Sequence, residues 1–121
     1  MTTTQFLLGL GLGAITGVLA ALFGVGGGLI MVPGFIFLFA LDQKSAVATS
    51  LAVIIAVSLV ATTKYASASL VKWHVVLPVM IGAVATTWVA ADWLKLLSND
   101  FLTRAFAILM IVVGIRMLFV R

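Results

Sequence analysis

Polar side chains are sparse along this chain, and their positions divide it into long apolar runs. No residue from Met1 to Leu41 carries a charged side chain. A helix rises 1.5 Å per residue, so crossing the hydrocarbon of a bilayer takes roughly 20 apolar residues. Residues 6–23 form a run of about that length. Residues 29–41 form a second apolar run that reaches only about 20 Å as a helix, too little to cross alone. Taken as one helix, 6–41 would measure about 54 Å, too long for a single crossing without a large tilt. The polar loop Asp42-Gln43-Lys44-Ser45 follows. Further apolar runs at 46–63, 75–94 and 101–120 are separated by polar connections at 67–74 and 95–100. The pattern predicts an all-α integral membrane protein, with residues 1–121 as a single transmembrane domain. It has four spanning helices, plus a short broken or re-entrant half-helix at 29–41.

The interruption between the first two runs reads "LFGVGGGLIMVPG", from Leu22 to Gly34. Glycine runs ordinarily mark solvated turns, but this one lies between two oily segments. In hydrocarbon an unpaired backbone group costs several kcal/mol, so irregular backbone is tolerated only inside protein or beside a watery cavity. A half-helix beginning near Gly28 presents free N–H groups and the positive end of its dipole. Glycine also lets an anion approach the backbone closely. Gly24, Gly26, Gly27 and Gly28 are therefore candidate substrate-binding residues for a small anionic solute. Pro33 is a candidate structural break, because it cannot donate to the carbonyl of Leu29. The other reading is a re-entrant turn whose glycines only permit tight packing. A nucleotide-type phosphate loop is excluded, because no Lys-Ser/Thr pair follows the glycines. Thr49 and Ser50, in "AVATSLAV", either line a pathway or bond back to helix carbonyls.

Composition narrows the class. Of 121 residues, 64% are hydrophobic and 8% charged, against about 25% charged in ordinary soluble domains. A water-exposed surface cannot be built from so few charges, so the solvent is lipid. The chain has no cysteine and one histidine, which leaves no expected metal centre or cofactor. No nucleophile–base or carboxylate pair falls at membrane depth, so the chain reads as a non-enzyme. The segment before the first run lacks Lys and Arg, which is the wrong flank for a cleaved signal peptide.

The net charge is +4. It is read as membrane anchoring, with no nucleic-acid partner expected. If 6–41 crosses once, the N-terminus shares a side with Lys64, Lys72, Arg116 and Arg121, opposite Lys44, Lys95 and Arg104. If 29–41 returns as a hairpin, only the N-terminus changes side. The count of four against three favours a cytoplasmic C-terminus in a multi-pass protein of the cell inner (plasma) membrane. Trp73 and Trp93 stand about 30 Å apart along a helix, one at each interface of the third long span. Small residues recur every fourth position at Gly9, Gly13, Gly17 and Ala21. They do so again at Ala48, Ala52 and Ala56, and at Gly82, Thr86 and Ala90. Such tracks read as helix-packing seams.

The order of these features resembles one repeat of the sulfite exporter TauE/SafE family. It comprises a small-residue first helix, "GVGGGLIMVP", a short apolar run, "AVATSLAV", and "SLVKWHVVLPVMIGAVA". The resemblance implies one repeat of a two-repeat transporter architecture that moves small sulfur-containing anions, sulfite or organosulfonates, usually outward. It places the family's glycine motif on Gly24, Gly26, Gly27, Gly28 and Pro33, and its A-x-x-T-S element on Ala46, Thr49 and Ser50. Family members often carry an acidic residue where this chain has Lys72. A single repeat implies that a second copy completes the transporter, with a homodimer as the simplest form. Two other functions compete, a dimeric small-anion channel and a non-transporting membrane scaffold subunit. A multidrug-type exporter would need a membrane carboxylate, and residues 1–41 contain none.

Overall fold

A computed structural model describes residues 2–24 and 26–120; Met1, Val25 and Arg121 lie outside the described residues. Five helices follow one another: α1 (Thr3–Phe23), α2 (Gly28–Phe39), α3 (Gln43–Ser67), α4 (Trp73–Leu96) and α5 (Asn99–Phe119). Four are long and apolar enough to cross a membrane, and α2 is the short apolar one. The protein is thus all-helical, with four spanning helices and a half-length helix.

The helices run two to three residues past the apolar stretches wherever polar residues cap them. Thr2 accepts from the Gln5 amide at 3.2 Å while Gln5 Oε1 accepts from the Thr2 amide at 3.1 Å, a reciprocal cap that starts α1 before Phe6. Ser98 caps α5 by accepting from the Phe101 amide at 3.1 Å. At its other end α1 stops at Gly24, which adopts the left-handed conformation. Ala40 takes the same role after α2 at φ 55°, without glycine's freedom.

The segment after the glycines turns back along α1. A methyl group placed at Gly9 would touch the Phe39 ring, one at Gly34 would overlap Leu12, and one at Gly27 would meet Thr16. The pairing 9/39, 12/34, 16/27 is that of two antiparallel helices. The hairpin alternative for 29–41 is the one realised. Pro33 lies inside α2 and does not end it. The interruption falls instead at Gly24–Gly27, where Gly24, Gly26 and Gly27 have φ of 70°, 69° and 80°. A proline well inside a helix removes one hydrogen bond, to the carbonyl four residues back.

The described core gathers around this hairpin. Thr16 and Ala20 of α1, Met31 and Val32 of α2, and Gln43, Ala46 and Ser50 of α3 are buried. α2 packs against both α1 and α3. At the end where α2 runs into α3, the Lys44 amide donates to Asn99 Oδ1 at 3.1 Å. Thr103 donates to Gln43 Oε1 at 3.2 Å. These bonds tie the start of α3 to the start of α5, and α5 runs beside α3. The start of α1 and the end of α5 therefore lie at opposite ends of the bundle. α4 packs closely on no other helix, and neither α4 nor α5 contains a buried residue. Trp73 and Trp93 are more than half exposed near the two ends of α4. The small-residue tracks are only partly used. Gly9 meets Phe39, while Gly13, Gly17 and Gly82 face open space.

Candidate functional site: the glycine break and the cavity above it

α2 is too short to fill the space between α1 and α3. Ile54 lies at the midpoint of α3, and its side chain lies within 3.3–3.6 Å of where a Cβ would sit on Gly26 or Gly28. The break is thus level with the middle of a membrane-spanning helix. Beyond that level α1 and α3 continue without α2 between them.

The space left there is a cavity of about 190 Å³, room for roughly six waters at about 30 Å³ each. Gly24 and Gly26 form its floor and Ala20 part of the α1 wall, and α3 contributes Ser58, Thr62 and Tyr65. These three hydroxyl residues are spaced i, i+4 and i+7, so they share one face of α3.

The break supplies donors to this region. Ile30 and Met31 donate to the Gly27 carbonyl at 3.1 and 2.8 Å, so the first turn of α2 winds from Gly27. Gly27 caps α2 without any side-chain hydrogen bond. Free N–H groups in the first turn coincide with the positive end of the helix dipole, worth about half an elementary charge. Gly27 itself is buried, held between Met31 and the Thr16 backbone, so no side chain fits there without displacement. Gly28 differs. Its φ is not positive, and an added Cβ would meet only the mobile end of Ile54 at 3.3 Å.

The remaining sequence candidates stand apart from the cavity. Ser50 is buried one helical turn before Ile54, but its hydroxyl donates to the Val47 carbonyl at 2.8 Å. That is the back-bonding arrangement. Thr49, its neighbour, is exposed. Thr16 is likewise satisfied within its own helix, donating to Leu12 and Gly13 carbonyls at 2.8 and 3.1 Å. Pro33 lies six residues past the cap, away from the floor of the cavity. Ser58, Thr62 and Tyr65 were not singled out from the sequence. Their signal was a polar residue at i, i+4 and i+7 in "SLVATTKY", at the end of an otherwise apolar span.

Charge near the site is confined to its rim. Lys64 lies beside Tyr65, in the last turn of α3. At the far end of the bundle, the Ser45 side chain, with smaller help from Asn99, holds the Asp42 carboxyl below its ordinary value. Lys95 and Asp92 form an exposed pair at 3.8 Å, the kind that contributes little. No group of three or more potential metal ligands occurs among the described residues.

Comparison with known proteins gives this architecture a family. Residues 2–117 match the family described as sulfite exporter TauE/SafE. The chain belongs to that family. Two similar relatives are described as probable membrane transporters. One, a "probable membrane transporter protein" of Xylella fastidiosa (strain Temecula1 / ATCC 700964), is 29% identical over 84% of this chain and 40% of its own length. The other, "probable membrane transporter protein YunE" of Bacillus subtilis (strain 168), is 35% identical over 65% of this chain and 29% of its own. The chain thus spans well under half the length of the curated relatives it matches. No solved structure matches it. Within TauE/SafE, the chain is a multi-pass membrane protein of a transporter family rather than an enzyme family.

Proposed function

We propose that this chain forms part of an exporter of small sulfur-containing anions, sulfite or organosulfonates, with the anion bound at the break before α2. The observation that carries this reading is the coincidence of two features at mid-helix depth. The N-terminus of α2 carries no side-chain cap, and Gly24 and Gly26 just before it border a cavity that has Ser58 and Thr62 on its α3 wall. A tetrahedral or pyramidal oxyanion offers several acceptor oxygens, and such a site offers donors from two directions. Backbone amides and hydroxyls suit an anion of low charge density, because they supply partial charges without a counter-ion that would hold it too tightly to leave. With the cell interior negative, one negative charge moving outward through 100 mV gains about 2.3 kcal/mol, enough to drive export without a coupling ion.

The functional unit is proposed to be a homodimer in the plasma membrane, with the C-terminus cytoplasmic. Lys64, Lys72, Arg116 and Arg121 on the C-terminal side outnumber Lys44, Lys95 and Arg104. Support for pairing comes from α4, which has no closely packed neighbour, and from the cavity, whose open side no described residue covers.

The experiment is sulfite flux into proteoliposomes by wild type and Gly28→Ala. The added methyl narrows the approach to the first-turn amides without left-handed strain. Flux is expected to fall at least tenfold while the variant inserts and unfolds like wild type. Equal flux from Gly28→Ala, or no flux of sulfite or sulfonates by wild type, would reject the reading. Cross-linking in mild detergent tests the pair, and a monomer that transports would reject it.

A further inference from the structure

Tyr65 occupies a position that anion binding alone does not require. Its hydroxyl donates to the carbonyl of Ala21, a residue 44 positions away in the last turn of α1. Carbonyls of a helix's last turn lack intrahelical partners, so this one is open to an outside donor. The bond joins α1 and α3 just where α2 is missing between them. Tyr65 also borders two spaces at once. One is the cavity above the glycines. The other is a cleft of about 420 Å³ between α1 and α3, bordered by Gly17, Ala21, Val60 and Lys64. Val57 and Ala61 also line both spaces, so the two flank one stripe of α3 formed by Val57, Ala61 and Tyr65.

From this placement we infer that Tyr65 is a latch that sets how fast small oxyanions pass between the cleft and the glycine cavity. The inference rests on the proposed anion site. In the latched state the phenol is held against α1 by one hydrogen bond, and the boundary is narrow. Lys64, exposed in the last turn of α3, attracts anions to the cleft side of that boundary. Breaking a single neutral hydrogen bond lets the ring swing, because Gly17, Ala21 and Ala61 offer little bulk around it. Such a bond contributes a modest net amount, so thermal opening is frequent but still limits passage. Tyr65 is a positioning residue here; it touches the path and leaves the binding of the anion to the start of α2 and to Ser58 and Thr62.

Two measurements on Tyr65→Phe test the latch, since phenylalanine keeps the ring and loses the donor. In proteoliposomes, maximal sulfite flux is expected to rise roughly two- to tenfold with KM unchanged, matching the loss of one net hydrogen bond. A merely structural role would lower flux or leave it alone, and a binding role would move KM; any of these results overturns the latch. The second measurement does not need transport. The chain has no cysteine, and Ala20 is a buried wall residue of the cavity at 6% exposure. Ala20→Cys is expected to react with an anionic methanethiosulfonate several-fold faster in the Tyr65→Phe background than with Tyr65 intact. Equal labelling rates would overturn the latch even if sulfite flux is robust. Faster labelling with no anion flux in any variant would instead keep the latch and reject the anion reading.

Discussion

Alanine placed in turn at Gly24, Gly27 and Gly28 separates backbone strain from close packing at the break. At Gly27 both act. Its φ of 80° is left-handed, a conformation that costs an L-residue about 1–2 kcal/mol. The new Cβ would also lie 3.3 Å from the Thr16 carbonyl oxygen, which belongs to a helix backbone and cannot yield easily. The 3.0 Å approach to Met31 Cε matters less, because a methionine terminus can move. Overpacking a tight site adds about 1 kcal/mol or more, so the total loss is roughly 2–3 kcal/mol. Gly24 has φ of 70° but nothing within 4 Å of its Cβ position. Only the strain applies there, and alanine's smaller unfolded-state entropy offsets part of it, leaving a loss of about 1 kcal/mol or less. At Gly28 the backbone is unstrained and the contact is with the flexible end of Ile54, so the change falls within about 0.5 kcal/mol of zero.

The assay is reversible unfolding in mixed micelles, followed by circular dichroism at 222 nm. The expected order of loss is Gly27→Ala, then Gly24→Ala, then Gly28→Ala. A Gly27→Ala protein as stable as wild type would refute the reasoning, because both a left-handed cap and a buried contact with α1 would then be wrong. A Gly28→Ala protein that loses the most would refute it from the other side. It would mean that the helix starts elsewhere and that Gly28 does not lie in its first turn.

Other consequences follow from single contacts. Gly34→Ala would bring its Cβ within 2.7 and 2.9 Å of the Leu12 methyl carbons; a loss of about 1–3 kcal/mol is expected. Adding Leu12→Ala should relieve part of it, so the double mutant measured by the same unfolding assay should be markedly non-additive. Ala40→Gly relieves a left-handed alanine at φ 55° and should raise the melting temperature, with a gain of up to about 1 kcal/mol. The Asp42 carboxyl is lowered chiefly by Ser45. Its contribution to stability is present above the ordinary aspartate value and is lost as pH falls through the lowered one. Melting temperature measured from pH 6 to pH 3 should therefore drop less for Asp42→Asn than for wild type.

The helices were legible because hydropathy and length are direct consequences of the bilayer. The shortness of the run at 29–41, too small to cross, already marked the half-helix. Its direction was not legible, since a crossing and a return have the same apolar content. That choice is made by pairings such as Gly9 with Phe39 and Gly34 with Leu12, which join residues far apart in sequence. Pro33 was read as part of the break, and the helix runs through it. One missing donor is a smaller perturbation than three left-handed glycines within four positions, so the chain breaks at the glycines. Thr49 and Ser50 stood out because they are adjacent and polar, yet Ser50 spends its hydroxyl on Val47. Ser58 is isolated among apolar neighbours, while Thr62 and Tyr65 merge into the polar end of the span at Thr62-Thr63-Lys64-Tyr65. Only winding α3 and withholding α2 brings the three onto one wall.

The hairpin also bears on how two such units can meet. Because α2 returns, the described chain begins at one end of the bundle and finishes at the other. A like unit following in tandem would start where this one ends and would be inverted relative to it. Two separate copies could adopt the same inverted relation only by inserting in opposite senses. The division of four basic residues against three biases insertion weakly, so it permits that outcome. Each α2 begins level with the midpoint of α3, so inversion about the membrane midplane would leave both glycine breaks near the same depth. Two helix N-termini would then contribute about half a positive charge each, together close to one charge. A parallel pair would instead place both cavities toward the same face. If the proposed pair is inverted, the two breaks would act on a single oxyanion without any charged side chain, and partial charges distributed in this way would hold an anion at the midplane while still allowing it to leave on either side.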